Sequence, residues 1–279
     1  LTLTGTNTYT GGSNLNGGTL SLGSASALGS TGTISLSGGT LQYSANNLTD
    51  YSNRFSTGAN QQYRIDTNSQ SITFASALKG SGSTLTKLGI GTLTLTGANT
   101  YVGNTTIADG TLIIGGAGSL GNITGVNGIY SRTIVNNGSL VFDTSTPHQL
   151  FGAISGSGSL TVSGDSNVEL DSISGNTYTG GTNLNGGVLT VNELGALGTS
   201  GTISFGGGAL QYSGNDTTDY SGRFSAASNQ QYRIDTNSQN VTFASALSSS
   251  GGSLTKLGNG TLTLTGTNTY TGGSNLNGG

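Results

Sequence analysis

Few side chains in this sequence could carry chemistry. The 279-residue chain has one histidine, His148, and no cysteine. An imidazole acting as base or metal ligand needs partners, and the chain has no second imidazole and no thiol to supply them. His148 follows the only proline, Pro147, and reads as a loop residue. Two carboxylates stand two apart in Asn167-Val168-Glu169-Leu170-Asp171, which puts both on one face of a strand. Polysaccharide cleavage uses such pairs, one carboxyl as acid and the other as base or nucleophile, about 5–10 Å apart. Asp165 could join them in a weak calcium site, although a hard cation wants six or more oxygens. A solvated acidic face is the simpler reading of all three.

Three other patterns suggest binding. Arg64 and Asp66 share a face, as do Arg233 and Asp235. Each pair is a ligand-contacting patch or, more simply, an exposed ion pair worth ~0–1 kcal/mol. Tyr63 and Ile65 then face inward. Alternating threonines at Thr92–Thr96 and Thr261–Thr265 could form ice-matching ranks, but that needs the pattern on adjacent coils, and the copies lie several coils apart. Tyr9, Tyr101, Tyr178 and Tyr270 each follow Asn-Thr beside a glycine-rich corner. They could stack on sugars; as amphipathic corner residues they would shield the edge of the core. The Gly pairs lack the strand-to-helix setting of a phosphate loop. The expectation is therefore no catalytic residue, no cofactor-binding residue and no metal site.

Composition narrows the class further. Gly supplies 51 residues and charged residues only 7 %, with a formal net charge of -3. An ordinary soluble domain carries about 25 % charged residues, so Thr, Ser and Asn must keep the surface wet. The near-zero charge argues against charge-driven disorder. Eight scattered basic residues give no footprint for nucleic acid, and no apolar run approaches the ~20 residues of a membrane span.

The elements that must position these residues are repeated. Asn-Thr-Tyr occurs at Asn7, Asn99, Asn176 and Asn268, spaced by 92, 77 and 92 residues, too long for a single supersecondary unit. Gln62–Asp66 recurs as Gln231–Asp235, and Leu85–Gly89 recurs as Leu254–Gly258 but for one serine-for-threonine neighbour at the strand start. This divides the chain into unit A (1–92), a divergent unit B (93–174), a second copy of A (175–261) and the start of a further repeat (262–279), in one continuous solenoid. Leu1–Gly18 and Leu262–Gly279 are identical, and neither carries a recognisable cap. Continuation end to end into a fibre is therefore expected, through further repeats or by contact between chains.

Within a unit, short runs such as Thr19–Leu22, Thr40–Tyr43, Ser71–Phe74 and Thr92–Leu95 place an apolar residue at every second position, the period of a half-buried strand. Gly-Gly, Asn-Gly and Ser-Gly pairs between them permit tight corners. No sustained helical period is present, and Ala25–Leu28 could hold one short turn at most. A sandwich is compatible with strands every ~8–12 residues. Repetition, low apolar content and the absence of edge-protecting charges favour stacked coils with a thin core. At ~20–25 residues per coil and ~4.8 Å per coil, the chain would make a rod of about 50–65 Å.

The motif LTKLGxGTLTLTGxNTYTGG, nearly complete at 85–103 and fuller at 254–273, resembles the autotransporter-associated β-strand repeat, also called the passenger-associated transport repeat. Ala27-Leu28-Gly29, Ile65–Asn68 and Val135–Gly138 are further family-like fragments. Two departures stand out: no translocating barrel is present, and residues 103–106 read Gly-Asn-Thr-Thr where sister copies have a second Gly. The resemblance implies an all-β, right-handed parallel β-helix in the secreted passenger of a Gram-negative surface protein. It further implies a structural or adhesive role, with self-association or surface glycans as partners and an extracellular or outer-surface location. The alternative is a carbohydrate-active β-helix enzyme.

Overall fold

The computed structural model describes residues 1–121 and 128–279. It comprises two compact units, Leu1–Val141 and Phe142–Gly279. Both are all-β and both are parallel solenoids. Among the described residues the only helices are single 3-10 turns at Ser52–Arg54 and Ser221–Arg223.

In the first unit one sheet stacks Thr2–Leu3, Thr19–Leu22, Thr40–Gln42, Gln62–Asp66, Thr84–Leu88, Thr105–Ile107 and Ile134–Asn136, each parallel to the next. A second sheet stacks Ser71–Phe74, Thr92–Leu95 and Thr111–Gly116. A third pairs Ser13–Leu15 with Ile34–Leu36. The second unit repeats the scheme. Its long sheet runs through His148–Leu150, Asn167–Leu170, Val188–Val191, Ala209–Gln211, Gln231–Asp235, Ser253–Leu257 and Ser274–Asn277. Shorter sheets join Ser159–Val162, Thr182–Leu184 and Ile203–Phe205, and Asn240–Phe243 with Thr261–Leu264. Paired residues such as Thr19 and Thr40, or Leu41 and Ile65, lie 21 and 24 residues apart, one coil of chain.

Alternation decides the faces. In Gln62–Asp66 the burial pattern puts Tyr63 and Ile65 inside and Arg64 and Asp66 outside. Inward residues then stack coil on coil, as Leu41, Ile65, Lys87 and Ile107 do. Each unit contains a cluster of phenylalanine and tyrosine rings in its core. Phe55 meets Phe74 edge-on at 5.2 Å, and Phe224 meets Phe243 at 5.2 Å. Tyr43 and Tyr212 bury their hydroxyls in this region with no hydrogen-bond partner; nothing in the structure explains it.

One corner shows why glycine is required. Gly201 has φ +85°, and a Cβ there would come within 2.4 Å of the Gly181 nitrogen. Its counterpart Gly32, at φ +87°, would meet the Gly12 nitrogen at 2.3 Å. Backbone stacks directly on backbone at this corner, which only a residue without a side chain allows.

Candidate functional site

The residues that recur in the sequence are engaged between coils. Asn99 is fully buried. Its Oδ1 accepts from the Leu78 amide at 2.7 Å, and its Nδ2 donates to the Ser119 carbonyl at 2.6 Å. Asn176 does the same, accepting from Ile154 and donating to Ala196, both at 2.7 Å. One side chain thus satisfies a buried donor on the coil before it and a buried acceptor on the coil after it. A free backbone group in that place would cost about 1–3 kcal/mol.

The tyrosine of the same motif carries the next bond. Each hydroxyl shares a hydrogen bond with the Ser or Thr hydroxyl four residues on: Tyr9 with Ser13 at 3.1 Å, Tyr101 with Thr105 at 2.7 Å, Tyr178 with Thr182 at 2.8 Å and Tyr270 with Ser274 at 2.6 Å. Tyr101 and Tyr178 are fully buried, whereas Tyr9 in the first coil is 37 % exposed. Burial pushes both phenols up to about 12, against the pull of the neighbouring threonine hydroxyl. Sugar stacking is therefore closed to these two rings. The departure at 103–106 keeps the device: Thr105 is buried, and its hydroxyl also meets that of Tyr130 at 2.8 Å.

Sequence reading missed the basic residues, which hold carbonyls. The Arg54 guanidinium donates to Leu28, Gly29 and Gly32 at 2.9–3.0 Å and also to Thr31, all on the preceding coil. Arg223 repeats this on Leu197, Gly198, Ser200 and Gly201. Lys87 and Lys256 point inward, while the leucine beside each is partly exposed. The aliphatic stem fills the core, and the ammonium reaches out to corner carbonyls. Lys87 Nζ donates to Leu88 at 3.0 Å, Gly89 at 2.5 Å and Asp109 at 3.2 Å, and Lys256 holds Leu257, Gly258 and Gly278 likewise. Burial lowers the Lys87 ammonium to about 8, opposed by the charges of Asp109 and Asp66.

Three sequence expectations need correction. His148 is not a loop residue. It opens the strand His148–Leu150, is 2 % exposed, and packs on Phe142 with ring centroids 4.9 Å apart. Its Nδ1 lies 2.8 Å from the Thr146 carbonyl, so the neutral ring donates there. Burial pulls its pKa down to about 4 despite that bond. Arg64 and Asp66 form no ion pair. Asp66 accepts from Gln42 Nε2 at 2.8 Å and the Asn68 amide at 2.9 Å, and Asp235 accepts from Gln211 and Asn237 in the same way. Asp171 is not a solvated carboxylate. It is 8 % exposed, and Gln149 and Asn192 each donate to one of its oxygens at 2.9 Å.

Glu169 does share the Asp171 face, and burial with that neighbouring charge raises its pKa. Asp165 stands apart on an exposed turn, and among the described residues no three carboxylates or imidazoles meet as a metal set. The threonine rows are mixed on neighbouring coils: Thr92 lies between Ser71 and Thr111, and Thr94 between Thr73 and Ile113. A cleft of about 560 Å³ in the first unit is lined by Asn7, Ser26, Asp50, Asn53 and Arg54 among others. Its charged groups are engaged: Asp50 accepts from the Ser52 and Ala75 amides, both at 2.8 Å, and Arg54 is bound as above.

The single histidine offers a direct check. The folded pKa lies below the usual 6.5, so the unfolded chain binds the extra proton between about pH 4 and 6.5. Stability rises with pH across that window and is lost on acidification, by up to about 3 kcal/mol at pH 4. We expect one imidazole titrating near pH 4 by NMR. His148→Gln should flatten this part of the stability–pH profile.

Stacked parallel coils held by repeated inter-coil side-chain bonds define a β-solenoid repeat protein. The chain carries the passenger-associated-transport-repeat, matched at residues 1–22, 85–114, 170–191 and 254–279. It is also similar to the protein described as "Adhesin BmaC autotransporter" of Brucella suis biovar 1 (strain 1330), 34 % identical over 266 residues. That match covers 76 % of this chain and 7 % of the relative, so the chain spans a small part of that protein's length. No solved structure matches.

Proposed function

We propose that the chain is an extracellular structural and adhesive repeat segment of a bacterial surface protein, acting as a rigid stalk. It is organised as the repeat units 1–92, 93–174, 175–261 and 262–279. The observation that carries this reading is the use of its recurrent side chains. Asn99, Asn176, Tyr101, Tyr178, Arg54 and Arg223 all bind neighbouring segments of the chain. Repetition here supports length and stiffness. The passenger repeat and the adhesin relative support an outer-surface location and a non-enzymatic role. Self-association and binding to surface glycans are the partners that suit a stalk of this kind.

The test is display of the chain on a non-adherent bacterium. Attachment to surfaces, or clumping of the displaying cells, should rise well above that of cells showing an unrelated domain of similar size. Equal behaviour would count against adhesion. The enzymatic alternative rests on Glu169 and Asp171. Turnover of pectin-like or chitin-like polymers by the purified chain, abolished by Glu169→Gln, would overturn the stalk reading.

A further inference from the structure

Among the described residues, five of the eight basic side chains donate to backbone carbonyls: Arg54, Lys87, Arg132, Arg223 and Lys256. Arg64 and Arg233 do not. They occupy equivalent outward positions in the two units, and neither has an acid partner. Arg64 gives a single long hydrogen bond, from Nε to Thr40 Oγ1 at 3.4 Å. At Arg233 the residue in the place of Thr40 is Ala209, and the buried Arg233 Nε has no partner at all. The neighbouring carboxylates are held by other donors, Asp66 by Gln42 and Asn68, and Asp235 by Gln211 and Asn237. Each guanidinium therefore presents its two terminal nitrogens, unpaired, on the outer sheet face. Such a fork matches a carboxylate in a two-bond geometry.

In the first unit the fork is flanked by hydroxyls. Register places Thr19, Thr40, Arg64, Thr86 and Thr106 in one row, one residue per coil. At ~4.8 Å per coil the row is about 19 Å long. In the second unit Arg233 is followed by Thr255 and Asn275 and preceded by the apolar Ala209 and Val188, so the strip there is shorter. We propose that this row is a docking strip for a carboxylate-bearing polysaccharide. The guanidinium takes a uronate carboxylate, and the hydroxyls of Thr19, Thr86 and Thr106 take sugar hydroxyls along the chain, while Thr40 is buried beneath Arg64. One cation amid several hydroxyls suits a polymer with the same ratio of groups. An acidic peptide would call for more cations and fewer hydroxyls. The net charge of -3 gives no long-range attraction, so binding depends on these contacts and is weakened by salt. The proposal rests on the adhesive reading and names its ligand class.

The experiment measures retention of the purified chain on immobilised polygalacturonate, neutral dextran and polyglutamate at low and high salt. The variants are the double substitution Arg64→Gln with Arg233→Gln, and Thr86→Val, all checked for an unchanged melting temperature. We expect retention on polygalacturonate alone, at least tenfold weaker in the double variant, a few-fold weaker in Thr86→Val, and lost at high salt. Equal retention by the double variant, or equal retention on dextran or polyglutamate, overturns the strip. The same proteins displayed on cells separate the two readings. Attachment that survives in the double variant, without polygalacturonate binding, overturns the strip and leaves adhesion standing. Polygalacturonate binding without any attachment sustains the strip and sinks the adhesive reading.

Discussion

Asn176→Ala should lower the stability of the chain by about 3 kcal/mol, because it strands two buried backbone groups at once. The Ile154 amide loses its acceptor and the Ala196 carbonyl loses its donor, each now 2.7 Å from the side chain. Water cannot easily replace them, since Asn176 is only 4 % exposed. Asn176→Asp separates the two halves of the clamp. The acceptor toward Ile154 survives, but a carboxylate oxygen then faces the Ala196 carbonyl. The introduced acid is driven toward its neutral form when folded, which raises its folded pKa above the unfolded value. Stability lost at neutral pH should therefore return, relative to the parent, as the pH falls. Asn14→Ala, at an exposed strand position, should stay within about 0.5 kcal/mol. Urea unfolding checks the ranking. Hydrogen exchange at Ile154 shows whether the coils part locally, as expected where stability is summed coil by coil.

The second large effect is expected at Arg223. Its guanidinium gathers four carbonyls of the preceding coil, from Leu197, Gly198, Ser200 and Gly201. Corner carbonyls converge there because the corner is tight, and a planar fork reaches several at once. Arg223→Met leaves them without donors and should cost about 3 kcal/mol, or roughly 6–12 °C in melting temperature. Arg223→Lys keeps the charge but not the fork, and should recover less than half of the loss. If Lys restored full stability, the charge would matter and the geometry would not. Arg54 is the internal replicate, with the same acceptors one repeat earlier.

What was legible in the sequence was whatever depends on neighbours along the strand. Alternation placed Tyr63 and Ile65 inside and Arg64 and Asp66 outside, and the structure agrees. What depends on the next coil was not legible. Residues two apart on one face are about 6.5–7 Å apart along the strand, but the adjacent coil is only ~4.8 Å away. Gln42 therefore reaches Asp66 before Arg64 can, and Gln149 and Asn192 take the oxygens of Asp171. The Arg54 contacts span 22 to 26 residues, a separation with no signature in a single sequence.

The misplacement of His148 and the burial of Lys87 both have local causes. Pro147 suggested a loop at His148, yet proline is tolerated beside the first residue of a strand, where no ladder donor is needed. Lys87 lies on the inner face and the leucine beside it is half-exposed. The strand is phased by Leu85, so Lys87 falls on the inner face, and its stem is long enough to carry the ammonium out to Leu88, Gly89 and Asp109.

The most direct measurement uses the absence of cysteine from the chain. Parallel register sets Ser71 opposite Thr92 and Thr73 opposite Thr94, all on the outer face. Paired cysteines at 71 and 92, one coil apart, should bridge readily on mild oxidation, since disulfides form at Cα separations of about 4.4–6.8 Å. Cysteines at 71 and 96 should not. An antiparallel arrangement centred on the 73–94 pair would reverse the outcome, joining 71 to 96 and sparing 71 and 92. Rapid bridging of 71 to 92 with none of 71 to 96 is the result expected of stacked parallel coils, and the opposite pattern would contradict them.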